Sequence, residues 1–154
     1  MNSSFAEKTL QEIERQMGEI KAFDLDEKQK SYFARYLVVF ICGSFESIVE
    51  SILCEYADKL RNSQISNFVA KSLHLNFRNP DYDKIVDFLN RFDEDWSKQM
   101  NNLAKANSNA ITSIIVHKNE LAHTGNSTIT LSQIEDLYDR AKVVIKKIDQ
   151  VVLS

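Results

Sequence analysis

The chain is poor in the residues that interrupt helices. Among 154 residues there are three glycines and one proline. Tight turns draw on glycine's freedom at positive φ and on proline's fixed φ, so this chain has little material for a many-stranded sheet. Long helices with short connections are the expected form. Cysteine is equally scarce. Cys42 and Cys54 are the only two, they form no CxxC pair, and both fall within apolar helical patterns. Buried, reduced thiols are the plain reading, and a disulfide framework is excluded. An excess of positive charge is missing too. Nineteen Lys and Arg against 22 Asp and Glu give a formal net charge of −3. That excludes the chain-wide basic character of a tight nonspecific duplex binder, but not a local basic site. No apolar run approaches the ~20 residues that span a bilayer, and no charged-then-apolar leader is visible. A cytoplasmic protein is expected, with one domain over residues 1–154.

What the chain does contain is helical periodicity. Leu10, Ile13, Met17 and Ile20 recur at helical spacing behind Ser4 and Glu7, a capping-box pair, and predict a first helix ending near Ala22. Asp24 with Glu27 can cap the next. Its stripe of Phe33, Leu37, Phe40, Ile41, Phe45, Ile48, Ile52 and Tyr56 is widened by Val38, Val39, Val49 and Leu53. A helix that apolar must be covered on more than one side, so it is read as central, with surplus surface for a second subunit. Gly43 and Ser44 at its middle permit either close intrachain packing or an interface.

Ile65, Phe68, Val69 and Leu73 suggest a short helix, closed by the turn RNPDYD, with Asp81 suited to start the next. Ile85, Phe88, Leu89, Phe92, Trp96, Met100 and Leu103 then predict one long helix. Its acidic run, Asp93 to Asp95, reads as a solvated face rather than a metal site. A helix carrying Ile111, Ile114, Ile115 and Leu121 ends at Gly125, and Thr130 with Gln133 caps the last one. The sum is an all-α, up-and-down bundle of four to five helices.

One stretch looks like chemistry rather than packing: HKNELAHTGNSTIT, from His117 to Thr130. Asn119 and His123 are four apart and share a helix face. Lys118 and His123 are five apart, about 140° around an ideal helix. They converge only if the helix unwinds at Ala122–Gly125, or if a second copy supplies one of them. A helix terminus with His123 on the last carbonyls would explain the same residues without chemistry. His117 points elsewhere and reads as a surface or interface residue. A His117/His123 metal pair lacks a third ligand, and no metal or cofactor is nominated.

The segment IIVHKNELAHTGNSTITLSQIEDLY resembles the signature of the HEPN superfamily. It is most similar to the RiboL-PSP-type branch, where Arg-Asn-x-x-Ala-His-Gly leads into a polar loop and an Ile-Thr pair before the last helix. YLVVFICGSFESIVESIL resembles that family's apolar helix carrying an acidic residue, and NFRNPDYDKIVDFLNRF its connector and next helix. The likeness runs from about Phe33 to Leu153. It rests chiefly on Asn119, Ala122, His123, Ile129 and Thr130.

The resemblance implies a helical homodimer that cuts RNA without metal, as a toxin or in defence against phage, at a composite site across the dimer axis. It places His123 at the proton-transferring histidine, Asn119 at the polar position and Glu46 as the acid that anchors the cation, with Glu50 as its competitor. Lys118 departs from the pattern, which has Arg there. Arg offers phosphate a planar fork and Lys a point charge. The same fold without catalysis, binding RNA, a nucleotide or a protein partner such as an antitoxin, is therefore the alternative. Some family toxins carry a Tyr two residues after the His, modified by a nucleotidyltransferase antitoxin. Gly125 holds that place here, which argues against that mode of control.

Overall fold

A computed structural model describing residues 1–154 shows seven helices and no strand. These are α1 (Ser4–Ala22), α2 (Glu27–Lys59), α3 (Ser63–Asn76), α4 (Tyr82–Phe92), α5 (Glu94–Met100), α6 (Lys105–Thr124) and α7 (Leu131–Leu153). The all-α bundle stands as expected. It holds seven helices rather than four or five because the short α3 stands as a helix of its own and the predicted third long helix is two. Asp93 is extended (φ −158°, ψ 123°), ends α4 and starts α5, and its carboxylate accepts the Asp95 N–H at 2.8 Å. An Asp followed by two further acids is an N-cap with a dipole-compatible first turn, and that signal outweighs the continuing apolar stripe.

Two other caps lie where the sequence did not put them. The α1 cap is Ser3, not Ser4: its hydroxyl accepts the Ala6 N–H. The α2 cap is Asp26 with Gln29 in a complete capping box, rather than Asp24 with Glu27. Thr130 and Gln133 cap α7 as the spacing predicts, and Asp81 caps α4.

α2 is the hub, packed against α1, α3, α6 and α7, while α6 and α7 pack along each other. Its buried stripe runs from Ala34 through Leu37, Ile41, Phe45 and Ile48 to Ile52, within one contiguous core. By length and composition α2 could cross a membrane, but over half of its most apolar stretch is buried inside the bundle. Gly43 settles one alternative. A Cβ there would meet nothing within 4 Å, and the residue is exposed. Close intrachain packing is not its role. Tyr32, Tyr36 and Val39, all about half exposed, precede Gly43 at helical spacing along the same face.

Candidate functional site

The site is built on α6. Ile111, Ile114 and Ile115 are buried and set the helix's inner face. Lys118 continues that face at the next turn, and is half-buried. Val116, Asn119 and His123 follow each other at three- and four-residue steps on the outer face, and all three are exposed. The helix does not unwind. It remains α-helical through Thr124, and Gly125 closes it in the left-handed conformation (φ 68°), its N–H donating to the Leu121 carbonyl. The last carbonyls are thus served by Gly125 and by the Thr124 hydroxyl, which donates to the Glu120 carbonyl at 2.7 Å. No hydrogen bond involves His123, so the idea that it caps the helix falls. Within one chain, Lys118 and His123 point to different sides.

Lys118 has no carboxylate within ion-pair distance. It lies beside Cys42 on α2. Burial pushes that thiol up to about 11, with the Lys118 ammonium pulling the other way and Glu46 adding to the rise. Glu46 serves a different group from the one expected. Its carboxylate accepts the Asn79 backbone N–H at 2.7 Å and makes no ion pair with Lys118. Asn79, in turn, has φ 46° and accepts the Cys42 thiol at 3.8 Å. Cys42, Phe45, Glu46, Pro80, Ile85 and Ile115 line a small, largely apolar crevice. Glu50, one turn on, has its carboxyl raised by burial and by Glu46, with His74 and Arg78 opposing. His74 and Arg78 therefore gather at the α3–α4 corner, on the Glu46–Glu50 side of α2.

His117 is not a free surface residue. Its Nδ1 lies 3.2 Å from the Glu120 carboxylate and 3.2 Å from the Ser127 hydroxyl. Ser127 is buried, so His117 fastens the loop after α6 to the helix before it. The ten-residue gap between them crosses a turn, which no helical spacing rule reports. Arg35 on α2 was also missed. It sits seven residues before Cys42, on the same helix face. It is half-buried over the Tyr32 ring, with Nη2 donating to Ser31. Its Nε is the only buried side-chain polar atom without a hydrogen-bond partner.

A groove of about 560 Å³ lies elsewhere, between the α1–α2 turn and the Thr128–Ser132 segment, and includes none of Lys118, Asn119 and His123. No three His, Cys, Asp or Glu side chains stand close enough to hold a metal ion. What α6 offers is a free imidazole on an open face and an unpaired ammonium on an inner one, 140° away by helix geometry. No curated protein and no solved structure matches the chain. The family model described as RiboL-PSP-HEPN matches residues 2–154, and the chain belongs to that family.

Proposed function

We propose that the chain is a metal-independent endoribonuclease, acting as a toxin or defence effector, whose site forms when two copies pair. His123 of one copy takes the proton of a ribose 2′-OH. The 2′-oxygen attacks the adjacent phosphorus, the bond to the 5′-oxygen breaks to leave a 2′,3′-cyclic phosphate, and the imidazolium returns its proton to that 5′-oxygen. An imidazole can both accept and donate a proton, which suits both transfers. Lys118 of the other copy stabilises the charge that develops on the phosphoryl oxygens, and Asn119 orients phosphate or imidazole.

The observation that carries this reading is the exposed, unpartnered His123 on a helix that stays intact to Thr124, in a chain of the RiboL-PSP-HEPN family. An intact helix leaves pairing between chains as the route by which Lys118 and His123 meet. The face around Tyr36, Val39 and Gly43, with Val116 on α6, supplies open apolar surface for such a pair.

RNA incubated with the pure chain in EDTA is expected to be cut, and His123→Ala to abolish the cutting. Intact RNA over a broad pH range, with a folded wild-type dimer, overturns the proposal. Lys118 in place of Arg, turned towards Cys42, supports a second reading: a silent module that binds RNA, a nucleotide or a protein. RNA binding without cleavage, indifferent to His123→Ala, selects that one.

A further inference from the structure

α3 carries an apolar face that nothing in the chain covers. Val69 and Leu73 hold it against α2, yet Ile65, Phe68 and Leu75 lie to one side of that contact and are exposed. Phe68 is 71% exposed and Leu75 74%. They are seven residues apart, two helical turns, and so lie on one face. Single exposed apolar side chains are ordinary, but a stripe of them beside a groove is not. The groove holds about 360 Å³ between Phe68, Val69 and Ser72 of α3 and Phe88, Arg91 and Phe92 of α4.

Its α3 side carries charge of one sign. No Asp or Glu occurs from Lys59 to Pro80, where Lys59, Arg61, Lys71 and Arg78 stand, in a chain whose net charge is −3. None of these four cations is in an ion pair. Arg91, the only charged residue lining the groove, lies over the Phe88 ring at 5.5 Å and is itself paired with Asp87 at 2.7 Å.

We propose that this groove docks an acidic amphipathic helix from a partner protein. Apolar anchors at three- and four-residue steps would enter between α3 and α4, with carboxylates meeting Lys71 and Arg78, cations on that side that hold no ion pair. Two of the three exposed anchors, Ile65 and Leu75, are aliphatic and offer no ring for base stacking, which favours protein over nucleic acid. A second copy presenting the same face would oppose cation to cation. The inference stands whether or not the chain cuts RNA.

A displayed library of helical peptides, selected on the full-length chain, tests it. Winners are expected to carry Asp or Glu beside Leu or Phe at helical spacing. They should lose at least tenfold in affinity on the Phe68→Ala/Leu75→Ala chain and again on Lys71→Glu, while binding His123→Ala unchanged. All four positions are exposed, and melting curves check that each variant folds. Winners that are basic or neutral, or that bind the double variant as tightly, overturn the proposal. So does a wild-type dimer that Phe68→Ala/Leu75→Ala converts to monomer, which would give the face to a second copy. Displacement of the winners by a short RNA would overturn it too.

Discussion

The Glu46 carboxylate accepts the backbone N–H of Asn79 at 2.7 Å, tying the middle of α2 to the corner between α3 and α4. Asn79 holds a left-handed φ of 46° directly before Pro80. Asn tolerates that region better than most residues, but a positive φ persists only where neighbours enforce it. Glu46 enforces it, from one turn beyond the Cys42 that lies beside Lys118.

Glu46→Ala is therefore expected to cost about 1–3 kcal/mol, since a charge-assisted bond is lost and a partly buried N–H is left without its partner. Glu46→Gln, whose amide oxygen can still accept, should retain most of the stability. Thermal melts of the two variants check the order. Equal losses would show that the carboxylate acts through its charge and not through Asn79.

Lys118→Arg bears on the chemistry. If position 118 stabilises a phosphorane, a bidentate guanidinium should raise the cleavage rate by about ten- to a hundredfold, equivalent to roughly 1–3 kcal/mol. Single-turnover rates on one RNA, with Lys118→Ala as the lower bound, measure it. A rate unchanged in all three chains would remove Lys118 from the site.

Tyr138 predicts the alkaline limit. Its single hydroxyl hydrogen is shared between the Glu14 carboxylate at 3.1 Å and the Leu10 carbonyl at 3.3 Å. Burial first, and then Glu14, holds the phenol well above its ordinary value of 10.0. Above that pH the unfolded chain loses this proton while the folded chain keeps it. The unfolded state then binds fewer protons, and stability falls as pH rises. Denaturant midpoints from neutral pH to above 10 should show this slope, and Tyr138→Phe should flatten it. At neutral pH the same change costs about 1 kcal/mol for the lost hydrogen bond.

Asp149 near the end of α7 is 3% exposed and accepts the N–H groups of Asn2 at 2.7 Å and Ser3 at 2.8 Å. It thereby clasps the start of α1. Asp149→Ala is expected to cost about 2–3 kcal/mol and to free α1 first. Hydrogen exchange should show lost protection across Ala6 to Ile13 before α6 or α7 responds.

The elements legible in the sequence are those coded by repetition. The stripes of α1, α2, α6 and α7, the Gly125 stop and the Thr130 box all follow from spacing within one helix. The break at Asp93 was hidden because α4 and α5 keep one apolar phase across it. Asn119 and His123 could be placed on one helix face. The tasks of Glu46 and His117 could not, because each bonds a group beyond a turn, Asn79 and Ser127. Sequence spacing describes neighbours along a helix and says nothing of which corner folds back onto it.

The uninterrupted run of α6 from Lys105 to Thr124 has a genetic consequence. With its ammonium and imidazole about 140° apart by helix geometry, one polypeptide in the proposed pair contributes to two grooves and completes neither. Two inactive alleles, Lys118→Ala and His123→Ala, should complement each other on mixing. Each mixed pair regains one whole groove, for roughly a quarter of wild-type activity at random reassortment. Groups that met within a single subunit would give no such rescue.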